Sequence, residues 1–171
     1  YWYSECYSSG GDGGYDGGGD DGTGGSSSTT YTPKAGDTMI KQNLPTTMTK
    51  QITNNTCVTS IMECVNNKFF NKNVNEGAYM LSYLQNYGIY VTDEGVSLSN
   101  IVDFVNRHFT TSTTFTSFYT AVNMGVPVMT SIPTSDPQTI HNVLIVGFTS
   151  PENFIYMDPL KGCLQTAHIS Y

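Results

Sequence analysis

A thiol, an amide, an imidazole and a carboxylate occur along this chain in an order that suits acyl chemistry. Gln51 lies six residues ahead of Cys57 in KQITNNTCVTSIMECV, where polar loop residues give way to an apolar helical pattern. His141 opens the run HNVLIVGF, and Asp158 closes FIYMDP seventeen residues later. A thiol in the first turn of a helix is favoured as an anion by the helix dipole and the unpaired N–H groups there, and a nearby imidazolium favours it further. A carboxylate beside an imidazole fixes its tautomer and favours its protonated form, as a base that must hold a thiol's proton requires. A side-chain amide in the preceding loop can meet the oxygen that gains charge when a carbonyl is attacked, with the backbone N–H of Cys57 as a second donor.

The elements that must position these groups follow from hydrophobic periodicity. After the polar TNNT turn, Val58, Ile61, Met62, Val65 and Phe69 recur at helical spacing, which predicts a helix from about Cys57 to Phe70 with Cys57 in its first turn. Asn54, Asn55 and Thr56 read as a polar turn and cap. Two more amphipathic helices are expected at about Glu76 to Tyr87 and Ser97 to Phe109, and a shorter one near Thr116 to Met124. The chain then changes period. GVPVMTSI, HNVLIVGF, FIYMDP and CLQTAHIS read as strands separated by turns. Helices first and an antiparallel meander after predict an α+β domain with N-terminal helices packed on a C-terminal antiparallel sheet. Folding the two middle strands about Pro151 and Glu152 places His141 across from a position close to 160, at the same end of the hairpin as Asp158.

Composition narrows the function. The chain has 171 residues and a formal net charge of −7, and Glu5, Asp12, Asp16, Asp20 and Asp21 hold much of that charge ahead of position 31. The remainder has no basic patch, which argues against nucleic acid as a partner. No apolar run approaches the roughly 18 residues of a membrane span. Ser8 to Thr30 is built almost wholly from Gly, Asp, Ser and Thr, so residues 1–32 are expected to form a flexible segment ahead of a folded domain at 33–171. A calcium-binding repeat would need a nonapeptide period with an apolar residue in each repeat, which the segment lacks. The aromatic head YWYSECY offers groups that could dock on the domain. Cys6, Cys57, Cys64 and Cys163 form no CxxC pair, and His108, His141 and His168 show no close metal-ligand spacing, so neither a zinc site nor any other cofactor is expected. Cys57 and Cys64 lie two turns apart, roughly 10 Å along a helix axis, too far to bridge. Cys64 is expected in the core, Cys163 in a structural role at a strand start, and His108 at a helix end answering the C-terminal dipole.

The order Gln51, Cys57, His141, Asp158, with helices between Cys and His, the GVPVM strand ahead of the His and the DPLKG turn, resembles the papain-like cysteine peptidases. It is most similar to the bacterial double-glycine, bacteriocin-processing peptidase family and its stand-alone relatives, over about Thr46 to Ser170. The resemblance implies a papain-like fold, Cys57 as nucleophile, His141 as general base, Asp158 as the residue that orients it and Gln51 as oxyanion donor. One departure is Val58, which stands where the family commonly has Gly after the nucleophile and is expected to narrow the approach to the thiol. No transporter segments accompany the domain, so leader processing during export is not implied.

Three function classes follow. One is a thiol hydrolase acting on peptide or isopeptide bonds of a peptide or protein substrate through a thioester. Another uses the same site for acyl transfer or deamidation, and the third is an inactive papain-like module that binds a peptide. A secreted or cell-envelope location, with any leader outside this chain, is expected from the tether-like spacer and the low charge of a domain rich in Tyr, Thr and Asn. No pattern specifies an oligomeric state.

Overall fold

Ten consecutive residues from Cys57 to Asn66 are buried in helix α1 (Cys57–Phe69), which makes it the central helix of the molecule. A helix apolar or satisfied all round belongs inside a core. Its aliphatic side chains, Val58, Ile61, Met62 and Val65, join Tyr79 and Tyr83 of α2 (Glu76–Tyr87) and Ile101, Phe104 and Val105 of α4 (Leu98–Asn106). The computed structural model describes residues 30–112, 117–134, 140–150 and 153–168. The YWYSECY head, Cys6 and nearly all of the Gly/Asp/Ser spacer lie outside the described residues. Tyr31, just ahead of the expected domain start, donates its backbone N–H to the Leu164 carbonyl at 2.8 Å and its hydroxyl to Asp37 at 2.7 Å.

The sheet is antiparallel and its middle strand is β3 (Ile140–Ser150). On one edge of β3 runs β4 (Asn153–Asp158), followed by β5 (Cys163–His168). The other edge is shared end to end by β2 (Val128–Pro133), which pairs with Ile140 to Ile145, and the two-residue β1 (Thr38–Met39), which pairs with Gly147 and Phe148. The helices therefore precede the sheet in sequence, apart from β1, and the fold is α+β as the residue pattern predicts. Alternation along the strands gives the sheet two faces. Leu144, Val146, Ile155, Met157 and Leu164 enter the main core with α1, whereas Val143, Ile145, Phe154 and Tyr156 form a second cluster with Ala121 and Val122 of α5 (Phe118–Asn123).

The β3–β4 hairpin decides where the imidazole and the carboxylate meet. At its turn Ser150 faces Asn153, and that register continued unbroken would set His141 against Gly162, four positions past Asp158. Four strand residues are roughly 13 Å, beyond side-chain reach. Two register shifts, between Phe148 and Ser150 and between Ile145 and Gly147, instead bring Leu144 opposite Met157. That register, run on, sets His141 against Leu160 with Asp158 as its diagonal neighbour on the same face, the pairing expected from the residue pattern. One shift alone would turn Asp158 to the opposite face, because side chains alternate with period two.

Two local expectations are corrected. Thr56 precedes α1 but makes no side-chain cap bond to it. Its hydroxyl instead donates to the Thr53 carbonyl and accepts the Thr53 N–H, so it closes the preceding turn. His108 does not answer a helix dipole. It follows the end of α4, its Nε2 lies 3.0 Å from Ser82 Oγ, and its ring packs edge-on against Tyr79 and Phe104. Burial, and then the charge of Arg107, lower its pKa below the ordinary histidine value, which favours the neutral ring.

Candidate active site

Cys57 is the first residue of α1, and the chain enters it through a loop held from two sides. The Gln51 backbone N–H donates to the Pro159 carbonyl at 2.9 Å, which ties the loop to the turn that follows Asp158. From the other side comes Glu76, buried at the start of α2. Its carboxylate accepts the Ile52 N–H at 3.2 Å and the Thr59 hydroxyl at 3.0 Å. Burial raises the Glu76 pKa in spite of these donors. The Glu76 backbone N–H is bound in turn by Glu63 of α1 at 2.6 Å, so loop and both helix starts form one unit. Asn55 adds a third anchor, donating its side-chain amide to the Thr92 and Asp93 carbonyls of the single-turn helix α3 (Val91–Glu94).

The structure brings Cys57, His141 and Asp158 together. His141 Nε2 donates to Asp158 Oδ1 at 2.8 Å, and the imidazole also hydrogen-bonds the Cys57 sulfur. With Nε2 directed at the carboxylate, Nδ1 is the ring nitrogen left for the thiol. Asp158 is itself fixed, since the same Oδ1 accepts the backbone N–H of Leu160 at 2.9 Å and of Lys161 at 3.4 Å. All three side chains are largely shielded from water, with Cys57 at 7% relative exposure.

The electrostatics of the three groups interlock. Burial alone would push the Cys57 thiol up, but the bond from His141, the backbone and side-chain donors of Asn142 and the imidazolium charge reverse this and hold it below the ordinary thiol value. Burial likewise opposes a charged His141, yet its bonds to Asp158 and Cys57 and their charges raise it to about 9. Asp158 is lowered, the bond and charge of His141 and the two backbone N–H groups outweighing burial. All three shifts run in the direction of a thiolate, an imidazolium and a carboxylate.

Gln51 is placed in the loop, with its amide directed locally. Its Nε2 donates to the Thr53 carbonyl at 2.6 Å, and its buried Oε1 has no hydrogen-bond partner. The departure at Val58 has a different consequence from the one expected. Val58 is 1% exposed and packs in the main core, so its bulk points inward. Among the described residues no group of three or more His, Cys, Asp or Glu side chains could hold a metal ion, and no helix is long and apolar enough to cross a membrane.

The model of the Peptidase_C39 like family matches residues 38–168, which span every element described above. The chain belongs to this C39-like peptidase family. The family makes it a papain-like cysteine peptidase relative, in keeping with the helix-then-sheet order, and implies a peptide or protein substrate. No curated protein and no solved structure matches the chain.

One residue at the site of this C39-like chain escapes the sequence reading. Asn142 donates its side-chain amide to Cys57 Sγ at 3.7 Å. A residue next to His141 in a strand is expected to face away from it. The missed signal is an amide that opens the otherwise apolar face shared by Leu144 and Val146.

Proposed function

We propose that this protein hydrolyses peptide or isopeptide bonds through a thioester on Cys57. The observation that carries the proposal is the His141 imidazole hydrogen-bonded to Asp158 on one side and to the first thiol of α1 on the other, with that thiol held below its ordinary pKa inside a buried site. In the first step the thiolate attacks the substrate carbonyl carbon, a C–S bond forms and the negative charge moves to the carbonyl oxygen. One donor for that oxygen is the backbone N–H of Cys57. The other is Gln51, whose Nε2 carries a second N–H besides the one on Thr53. The tetrahedral species collapses, the C–N bond breaks, and His141 Nδ1 gives its proton to the leaving amine. Neutral His141 then takes a proton from water, the resulting hydroxide adds to the thioester, and cleavage of the C–S bond releases the acid and restores the thiolate and imidazolium. Asp158 keeps the ring in the required tautomer throughout.

The test is brief exposure of the folded protein to iodoacetamide at pH 6 to 7, followed by site-resolved mass spectrometry and by product analysis on a peptide mixture. Alkylation at Cys57 ahead of Cys64 and Cys163, with new carboxyl termini that vanish in Cys57→Ala, is the expected result. Labelling of Cys57 only after denaturation would overturn the reading, and products bearing a new amide in place of a free acid would reassign the site to acyl transfer.

A further inference from the structure

Two consecutive residues of β3 reach the same sulfur from opposite sides of the strand. His141 belongs to the alternation of Val143 and Ile145, and Asn142 to that of Leu144 and Val146, which packs on α1. The Asn142 amide nitrogen lies 3.7 Å from Cys57 Sγ, and its backbone N–H hydrogen-bonds the same atom. The other end of the amide is also held. Ser131 of β2, the direct cross-strand partner of Asn142, donates its hydroxyl to Oδ1 at 3.0 Å. An amide has one accepting and one donating end, so a hydroxyl donor on Oδ1 directs the NH2 group at the thiol. The side chain is 5% exposed on a face that is otherwise aliphatic at Leu144 and Val146. A leucine or valine there would fill the core without the cost of burying an amide, so packing does not account for an asparagine.

We propose that Asn142 is a further catalytic residue, a fixed donor to the Cys57 thiolate, and that Ser131 is its positioning residue. The proposal rests on Cys57 being the nucleophile and deepens that reading. A donor of this kind has two opposed effects. It raises the fraction of thiol that is ionised, and it reduces the nucleophilicity of the thiolate once formed. The first dominates where the thiol is only partly ionised and the second where ionisation is complete. An amide serves where a cation would not, because it gives up no proton and leaves proton transfer to His141 alone.

The experiment is the rate of iodoacetamide alkylation of Cys57 as a function of pH, with thiolate absorbance near 240 nm as a second readout, in the parent protein, Asn142→Ala, Asn142→Asp and Ser131→Ala. Asn142→Ala should move the acid limb up by about one pH unit, a tenfold lower rate at pH values below the limb, while the alkaline plateau is equal to or above that of the parent. Asn142→Asp keeps the volume but places a carboxylate on the sulfur, so its limb should move further. Ser131→Ala leaves the amide in place but free to turn, and should move the limb in the same direction by less. A structural defect would instead lower the rate at every pH. Should Asn142→Ala fail to fold, the isosteric Asn142→Asp and the gentler Ser131→Ala carry the same test. Fast parent labelling with unshifted limbs in these variants would overturn the role of Asn142 alone, and slow labelling of the parent itself would overturn the nucleophile reading first.

Discussion

Helix α1 carries two buried cysteines whose thiols are driven in opposite directions. Cys57, at the first turn, lies below its ordinary value, and Cys64, two turns on, is pushed up to about 12. Both are almost fully buried. Burial raises Cys64 with only a weak, mixed influence from Lys68 and Glu63, and the nearest polarisable partner is the Met157 sulfur at 3.3 Å. Burial acts on Cys57 as well, but His141 and Asn142 supply donors aimed at its sulfur. The lesson is that the same desolvation leaves a thiol pushed up or held below its ordinary value according to whether the fold delivers donors to that point.

The sharpest way to break the contrast is His141→Ala. Without the imidazolium, Cys57 should behave more like Cys64, with its alkylation limb moved to alkaline pH and turnover reduced by about a thousandfold through loss of the general base. A variant whose labelling profile matched the parent would mean that the imidazole is not what sets the two thiols apart. Gln51→Ala should do the reverse and sharpen it. A donor that acts on the oxyanion costs about 3 kcal/mol when removed, near a hundredfold in kcat, while KM stays within a few fold and Cys57 labels as before. Unchanged acylation would reduce Gln51 to a loop residue.

The pH dependence gives a smaller, signed effect. His141 is raised to about 9 in the folded protein, so the thiolate–imidazolium couple extends from the depressed thiol value up to about 9, and turnover should fall above that. The same shift makes His141 a source of stability that is fully present below its unfolded value near 6.5 and is lost as pH rises through about 9. Asp158→Asn keeps an acceptor but removes the charge, so the alkaline limb should move down by about one unit and turnover should drop without vanishing. An unmoved limb would mean that Asp158 does not set the imidazole. Least is expected of Cys64→Ala, about 1 kcal/mol of stability from a small core cavity, read as a thermal shift of a few degrees with Cys57 labelling unchanged.

How much of this was legible in advance differs by element. α1 was readable almost to the residue, because Val58, Ile61, Met62 and Val65 keep a helical period. For α2 the bounds were readable but the buried face was not, since Tyr79 and Tyr83 enter the core and Leu81, one of Met80, Leu81 and Leu84 that set its apolar pattern, is exposed. β1 and α3 were not readable, since two strand residues and a single turn hold too few side chains to show a period. The meeting of His141 with Asp158 could be argued from the hairpin, but the two register shifts that achieve it depend on tertiary packing and leave no mark in the residue pattern. Cys57 could be singled out from Cys64 by its place ahead of the apolar run. Asn142 showed only as an amide at the start of an apolar face, and its contact to sulfur depends on how the end of β3 lies against α1. The local amide bond of Gln51 to Thr53 was equally hidden, being set by rotamer choice.

The doubled register shift in the β3–β4 hairpin also bears on how a lineage of such proteins can change in length. Insertions at the tip, beyond Ser150 and Asn153, leave every downstream pairing intact and should be freely accepted. A one-residue deletion in β4 between Phe154 and Asp158, with both shifts kept, would instead carry Asp158 to the face of the sheet away from His141, although helix α1 itself had not been altered. Gaps in the body of this hairpin should therefore survive only as compensated pairs, much as a second frameshift restores a reading frame.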